Sequence, residues 1–273
     1  MSLIVFSHGN SFPASTYGVM IASLKKRGFT VKSIAKLGHD PKYPVTDNWP
    51  HLVQQLADFV ERETDKAGAP AYLVGHSLGG ILSLMCAANH HALACGVVLM
   101  DAPVIGGWRA STLGAIKTTN LVGRISPGAV SQHRKQAWPD ADAVYAHFKS
   151  KRAFALWDDA VLRDYVNHGT QDVQEDGVTQ RHLSFDRRIE THIYNTIPDS
   201  LDNMLKRHPL KCPAAFVGGL QSREMKTVGS ALTEKVTQGR MAWMDGTHLF
   251  PMEKPLAAAA AVEAAIYGFK QPT

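Results

Sequence analysis

The sequence predicts an α/β fold in which a mostly parallel sheet is covered by helices on both faces and is interrupted by one long insertion. Short, nearly continuous apolar runs alternate with helical patterns through the first hundred residues, and this alternation returns after residue 210. Strands that are apolar at almost every position are typical of parallel sheets buried on both faces. Residues 104–210 lack strand-like apolar runs and are too many for an ordinary loop, which favours a helical insertion.

The N-terminal part of the chain contains four predicted strands separated by three predicted helices. The strands are LIVFSHG, FTVKSIAKLG, AYLVG and CGVVLMDAP, and the helices are STYGVMIASLKKRG, NWPHLVQQLADFVERETDKAG and LGGILSLMCAANHH. Gly28 ends the first helix, and a proline lies in the first turn of the second, as helix boundaries favour.

The C-terminal part completes the same pattern. CPAAFVGG and GRMAWMDG are the last two predicted strands, and MEKPLAAAAAVEAAIYGF is the last predicted helix. The predicted organisation is therefore a core formed by residues 1–103 and 211–273, split by a helical cap at residues 104–210. Most of the cap aromatics are expected to pack in the cap's own small core, and the remainder to line an apolar cavity. They are Trp108, Trp138, Tyr145, Phe148, Phe154, Trp157 and Tyr165.

Composition excludes several classes of function. The chain carries a formal net charge of +5, but its basic residues are dispersed, without the aromatic-interleaved stripe of a nucleic-acid interface. Three cysteines at unrelated spacings indicate neither a disulfide framework nor a zinc site. The N-terminus lacks the basic region of a signal peptide, so we expect a cytoplasmic location and no stable membrane association. A homo-oligomer is compatible with the sequence.

A serine lies at the turn between a predicted strand and a predicted helix. In the stretch AYLVGHSLGG, Ser77 is flanked two positions away on each side by Gly75 and Gly79. This G-x-S-x-G pattern is typical of a sharp turn that aims a nucleophilic serine at the carboxyl edge of the sheet. A phosphate-binding loop would need a lysine after the second glycine or a G-x-G-x-x-G pattern, and neither is present.

A serine needs a general base, and His248 is the candidate. It lies in MDGTHLFPMEKP, between the last predicted strand and the last predicted helix. Because the carboxyl ends of parallel strands share one edge of a sheet, His248 can reach Ser77 although the two are far apart in sequence.

The loop FSHGNSF after the first strand supplies candidate donors for an oxyanion hole. Its backbone N–H groups should lie beside Ser77, so we expect an oxyanion to be bound by the N–H groups of Asn10 and Leu78. His8 in the same loop is expected to be a hydrogen-bonding support for the loop.

Four motifs together make the chain resemble the serine-nucleophile α/β-hydrolases with a helical cap. They are HGNSFPASTY, GHSLGG, GLQSREM and GTHLFPMEKP, and with the strand pattern they cover nearly the whole sequence. The chain starts at what would be the family's third strand, so the resemblance implies a sheet of about six strands. It also implies an acid that orients His248. The family's usual position for it holds Ser222, with Glu224 close by. Glu224 is the preferred acid, and Asp101, at the end of the preceding core strand, is the alternative.

The resemblance implies acyl-transfer chemistry. A serine at the nucleophile position argues against the haloalkane dehalogenases and epoxide hydrolases of this fold, which use a carboxylate. No metal or cofactor is expected. The leading hypothesis is a hydrolase of a small-to-medium carboxylic ester or thioester, with a small-molecule acyl substrate. An acyltransferase, a carbon–carbon bond hydrolase or a cofactor-free peroxidase would use the same residues, and a non-catalytic binding protein is the alternative from another class.

Overall fold

The structure of the 273-residue chain is a computed structural model that describes residues 1–106, 131–175 and 177–269. The strands in these ranges are β1 (Leu3–Ser7), β2 (Thr30–Ser33), β3 (Ala71–His76), β4 (Ala94–Met100), β5 (Ala137–Trp138), β6 (Thr170–Glu175), β7 (Val178–Leu183), β8 (Ala214–Gly219) and β9 (Met241–Met244). The α-helices are α1 (Gly18–Lys26), α2 (Pro50–Ala67), α3 (Leu78–Asn89), α4 (Ala141–Lys149), α5 (Asp159–His168), α6 (Arg187–Asn195), α7 (Leu201–Arg207), α8 (Arg223–Val228), α9 (Ala231–Thr237), α10 (Phe250–Glu253) and α11 (Pro255–Gly268).

The central sheet has six strands in the order β2-β1-β3-β4-β8-β9. Every neighbouring pair in it is parallel. The predicted six-stranded parallel sheet is therefore confirmed, and its strands are the six apolar runs of the sequence.

The two faces of this sheet are buried in two separate hydrophobic clusters. Leu3 and Val5 of β1 belong to one cluster, with residues of α2 and α3, whereas Ile4 and Phe6 belong to the other, with residues of α1 and α11. Side chains alternate between the faces of a strand, so a strand covered on both faces is apolar at every position. This double burial explains why the strands appear as continuous apolar runs.

The last helix, α11, packs on the sheet with small side chains. Ala258, Ala259, Val262 and Ile266 are fully buried along it, and the many alanines let the helix approach the sheet closely. Among the residues that the structure describes, no helix is both long and apolar enough to cross a membrane.

The described part of the insertion contains a small antiparallel sheet besides its helices. β5, β7 and β6 form it in that order. The insertion that was predicted to be helical therefore also contains strands, although it lacks strand-like apolar runs. The reason is that β6 and β7 are mostly polar and are exposed or half-buried, with Thr170 the one buried residue among their described positions. Such a ladder is stabilised by backbone hydrogen bonds and leaves no apolar pattern to recognise.

The cap aromatics pack against the core. Five of those that the structure describes are buried: Trp138, Phe148, Phe154, Trp157 and Tyr165. They belong to the same cluster as β1 and α11, and Phe12 of the β1–α1 loop makes edge contacts with three of them. The aromatics thus do not form a separate cap core but extend the cluster on one face of the sheet. Trp108, and part of the predicted 104–210 cap, lie outside the described residues.

Candidate active site

The turn after β3 holds Ser77 in a strained conformation. Its backbone has φ 53° and ψ −118°, a region that costs a non-glycine residue on the order of 1–3 kcal/mol. A Cβ on Gly75 would lie 2.2 Å from the backbone of Gly79, and one on Gly79 would lie 2.0 Å from the carbonyl oxygen of Ser7. Glycine is therefore required at both positions for β1, β3 and α3 to approach this closely. The result is a serine at the amino end of α3, at the carboxyl edge of the sheet.

His248 lies between this serine and a buried carboxylate. Its Nε2 is 3.1 Å from Oγ of Ser77, and its Nδ1 is 2.8 Å from Oδ1 of Asp101. With Nδ1–H donating to the carboxylate, Nε2 is the ring atom that can accept the proton of the serine hydroxyl. The His248 side chain is 18% exposed and that of Asp101 is fully buried. The imidazole can therefore be reached from outside, whereas the carboxylate cannot.

The carboxylate in contact with His248 is not the one that the sequence favoured. Glu224 is half exposed, and its Oε2 is 3.9 Å from Nδ1 of His248, beyond hydrogen-bonding distance. Asp101 directly follows β4, whose carboxyl end lies beside those of β3 and β8 in the sheet. The preference for Glu224 as the acid is therefore corrected in favour of the alternative, Asp101.

Three donors surround the Asp101 carboxylate. Gly219 N–H donates to Oδ2 at 2.7 Å, the Ser222 hydroxyl donates to Oδ1 at 2.6 Å, and His248 donates to the same oxygen. Ser222 thus occupies the family's usual acid position and supports the carboxylate on the neighbouring strand. Burial opposes ionisation of Asp101, but the hydrogen bond and charge of His248, with the Gly219 and Ser222 hydrogen bonds, hold the pKa of its carboxyl below the ordinary value.

The surrounding carboxylates favour the protonated form of His248. Burial acts to lower the pKa of the imidazole, but the hydrogen bond to Asp101 and the charges of Glu224, Asp101 and Glu253 outweigh it, so the pKa of His248 is raised above its ordinary value. The site thus stabilises the imidazolium form of His248.

A second histidine links the loop that carries His248 to the loop after β1. His76 Nε2 is 2.8 Å from the carbonyl oxygen of His248, and its Nδ1 is 2.7 Å from the hydroxyl of Tyr17. That hydroxyl also accepts the N–H of Gly9 at 3.0 Å. Burial, with the nearby charge of His248, lowers the pKa of His76 to about 3, so the ring is neutral and donates from Nε2. Sequence reasoning missed Tyr17 and this role of His76, since neither lies in a recognisable motif for it.

The loop after β1 is fixed by His8. Its Nε2 accepts the N–H of Leu37 at 2.8 Å, and its Nδ1 lies 2.7 Å from the carbonyl oxygen of Gly9. Burial lowers the pKa of His8 to about 4, so it remains neutral. These contacts confirm the prediction that His8 supports the loop.

The two predicted oxyanion donors lie on the two loops next to Ser77. Asn10 lines the cavity with Ser77, and Leu78 is the first residue of α3, where backbone N–H groups lack intrahelical acceptors. Within the described ranges, neither backbone N–H donates to another residue. Both groups are therefore available to an oxyanion, and their role in binding one remains a prediction.

A cavity of about 610 Å³ opens onto Ser77 and His248. Its wall on the core side includes Phe12, Leu249, Arg223 and Glu224, and the described part of the cap contributes a second set of residues. The cap residues are Arg152, Ala153, Leu156 and Tyr194. The five buried cap aromatics are not part of this wall, because they are buried deeper against the core.

The same residues are the candidates for metal binding. Within the described ranges, Asp101, Glu224 and His248 form a group whose ligand atoms lie within 4.8 Å of one another. Three of the possible ligand atoms already form hydrogen bonds within the protein. His248 Nδ1 donates to Oδ1 of Asp101, and Oδ2 of Asp101 accepts the N–H of Gly219. The three residues thus belong to a hydrogen-bonded network, and the absence of a metal remains a prediction.

Comparison with known proteins identifies the family. A family model described as "Alpha/beta hydrolase family" matches residues 4–262, almost the whole chain. The chain belongs to the α/β-hydrolase family.

The chain is also similar to individual known proteins. Monoglyceride lipase of Rattus norvegicus is 26% identical over 169 residues, which are 57% of this chain and 56% of the rat protein. The chain thus spans little more than half of the length of that curated relative. E-2-(acetamidomethylene)succinate hydrolase matches with a TM-score of 0.69 and 22% identity over 97% of this chain and 91% of that structure. A thioesterase domain from the curacin biosynthetic pathway matches with a TM-score of 0.72 and 14% identity over 96% and 91%. At these identities the structural matches show the fold.

Proposed function

We propose that this α/β-hydrolase is a serine hydrolase that cleaves a small-to-medium carboxylic ester or thioester through an acyl-enzyme on Ser77. The observation that carries the proposal is the hydrogen-bonded series from Ser77 through His248 to Asp101 beside a cavity of about 610 Å³. Monoglyceride lipase and thioesterase among the similar proteins support an ester or thioester substrate.

The geometry accounts for each proton of the proposed reaction. Oγ of Ser77 attacks the carbonyl carbon of the substrate while its proton moves to Nε2 of His248, and Asp101 stabilises the imidazolium. The N–H groups of Asn10 and Leu78 bind the oxyanion. Collapse of the tetrahedral intermediate expels the alcohol or thiol, which takes the proton from His248. Water then attacks the acyl-enzyme while one of its protons moves to Nε2 of His248. Collapse of the second tetrahedral intermediate breaks the bond to Oγ of Ser77, which takes the proton back from His248, and the carboxylic acid is released.

Turnover of a substrate panel tests the proposal. The panel contains 4-nitrophenyl esters, monoacylglycerols and acyl thioesters of increasing chain length, and products are identified by mass spectrometry with and without an added alcohol or thiol acceptor. We expect the free acid as product and a covalent acyl adduct on the intact protein. Acyl products that change with the acceptor would indicate an acyltransferase instead. Absence of turnover, together with no adduct from a fluorophosphonate, would favour the non-catalytic binding protein.

The shape of the cavity bears on the kind of substrate. We propose a small molecule as the substrate, a cytoplasmic location and no nucleic-acid partner. A cavity lined by residues from both the core and the cap suits a substrate that is enclosed on binding better than a polymer surface.

The activity should depend on pH through His248. The base must be neutral to accept the proton of Ser77, so activity should fall as the pH falls through the pKa of His248. Since that pKa is raised, half-maximal kcat/KM is expected above about pH 6.5, the ordinary histidine value. Replacing Glu224 by glutamine removes a negative charge 3.9 Å from Nδ1 and should extend activity to lower pH.

Profiles of kcat/KM against pH for the wild type and the Glu224→Gln variant would measure this shift. Glu263→Gln is a matched control, because Glu263 pairs with Arg27 on the outer helices and should leave the profile unchanged. An acidic limb that does not move in Glu224→Gln, or one that moves equally in the control, would contradict the assignment of this limb to His248.

A further inference from the structure

A buried ion pair in the cap lies directly against the loop that carries Asn10. Arg134 Nη1 is 3.0 and 2.9 Å from the two carboxylate oxygens of Glu190 in α6, and the two side chains are only 18% and 5% exposed. Arg134 also donates from Nη2 to the hydroxyl of Tyr165 at 2.8 Å. Because each charge is neutralised and hydrogen-bonded, the pair can persist in a buried position.

Glu190 holds two consecutive residues of that loop. The Ser11 hydroxyl donates to Oε1 of Glu190. The side-chain amide of Asn10 donates to the backbone carbonyl oxygen of Glu190 at 3.0 Å, and its oxygen accepts the N–H of Ser11 at 3.1 Å. The side chains of the adjacent residues Asn10 and Ser11 thus both attach the loop after β1 to Glu190 of the cap.

The conformation of this loop requires such support. Ser11 has φ 75°, in the left-handed region that side chains other than glycine adopt only where the surroundings impose it. On the other side of Asn10, the N–H of Gly9 is held by the hydroxyl of Tyr17 at 3.0 Å. The N–H of Asn10 lies between these two anchors, so its direction depends on both.

We propose that Glu190, held in place by Arg134, is a positioning residue that directs the N–H of Asn10 toward the oxyanion. The inference rests on the proposed function, since it assigns the cap a part in the acyl-transfer step as well as in covering the cavity. Loss of this contact lets the loop relax away from its left-handed conformation, which moves the N–H from the place where negative charge develops. Such a donor acts on the transition state more than on the bound ester, so kcat should fall while KM changes little.

Tyr194 distinguishes this role from substrate binding. It lies one turn after Glu190 in α6 and lines the cavity. A disturbance of α6 that acted through Tyr194 would alter the cavity wall, and its main effect would be on KM. The separation of kcat from KM therefore tests the positioning role.

The experiment compares the wild type with the Glu190→Gln and Ser11→Ala variants on a 4-nitrophenyl ester and on the matching thionoester. Deleting an oxyanion donor lowers kcat about 100- to 1000-fold, so a displaced one should cost roughly tenfold to 100-fold, with KM within about threefold. Because sulfur accepts hydrogen bonds weakly, the preference for the ester over the thionoester should also shrink in both variants. The acidic limb of the pH profile should be unchanged, as neither residue contacts His248.

The control is Asp172→Asn, which removes an exposed cap carboxylate that pairs with Arg181 at 3.0 Å and should leave kcat and the ester preference unchanged. Folded Glu190→Gln protein with wild-type kcat and ester preference would overturn the inference. If Glu190→Gln does not fold, Ser11→Ala decides, and wild-type values in that variant would likewise overturn it. A wild type that neither hydrolyses esters nor reacts with a fluorophosphonate would refute the proposed function, and this inference with it.

Discussion

Replacing Ser77 by alanine is expected to reduce kcat for ester hydrolysis by several orders of magnitude, with a ceiling of about 10⁶-fold, the loss known for a serine protease. Alanine leaves the backbone of the turn after β3 and the oxyanion donors in place, but it removes the oxygen atom that forms the acyl-enzyme. What remains is the weaker effect of the oxyanion hole and of substrate binding on direct attack by water. KM should change far less than kcat.

His248→Ala should produce a loss of similar size, because the hydroxyl of Ser77 is a weak nucleophile when no base accepts its proton at 3.1 Å. The double variant should be no less active than the worse single one, since residues that act as a unit have non-additive effects.

The measurement combines steady-state kinetics with the intact mass of the protein after treatment with a fluorophosphonate. The wild type should gain one adduct, and Ser77→Ala should gain none. Ser83→Ala is the matched control: it lies in the same helix, where its hydroxyl donates to the carbonyl oxygen of Gly79, and it should be labelled like the wild type. An adduct of equal yield on Ser77→Ala would exclude Ser77 as the activated nucleophile.

Asp101→Asn is expected to have the second largest effect, a loss in kcat of about 10⁴-fold, as for the equivalent aspartate of a serine protease. Asparagine preserves the volume and can still accept from Gly219 or Ser222. It removes the charge that stabilises the imidazolium of His248, and its amide no longer selects the productive tautomer of the ring. Glu224→Gln should cost less than about tenfold, because Glu224 acts on His248 only through its charge.

Kinetics of both variants, with the melting temperature measured for each, would separate catalysis from folding. Asp101 is fully buried with three donors around it, so some loss of stability is expected, and kcat should be measured well below the melting transition. A greater loss from Glu224→Gln than from Asp101→Asn would restore Glu224 as the acid. Small, equal losses would show that neither carboxylate has this role.

The central sheet was predictable because the burial of a strand determines the residue types of that short segment. Its four inner strands β1, β3, β4 and β8 are buried almost throughout, so each appears as a continuous apolar run bounded by turn residues. The cap sheet was not predictable by the same argument, since β6 and β7 have only one buried residue and their stabilisation by backbone hydrogen bonds is independent of residue type. Glu190 did carry a signal: it shares a helix face with the buried Ile193, and a charged residue on an apolar face needs a buried partner.

Local sequence was sufficient to locate Ser77 and His248. Only glycine fits at positions 75 and 79, because a Cβ there would lie 2.0–2.2 Å from backbone atoms of the neighbouring elements. A parallel sheet also brings the loops that follow its strands to one edge, which places His248 near Ser77. The choice between Asp101 and Glu224, and the attachment of Asn10 to the cap, depended on the folded chain. Each is a contact between residues more than a hundred positions apart. In such contacts the partner is selected by hydrogen-bonding distance and burial, and spacing along the sequence does not determine either of them.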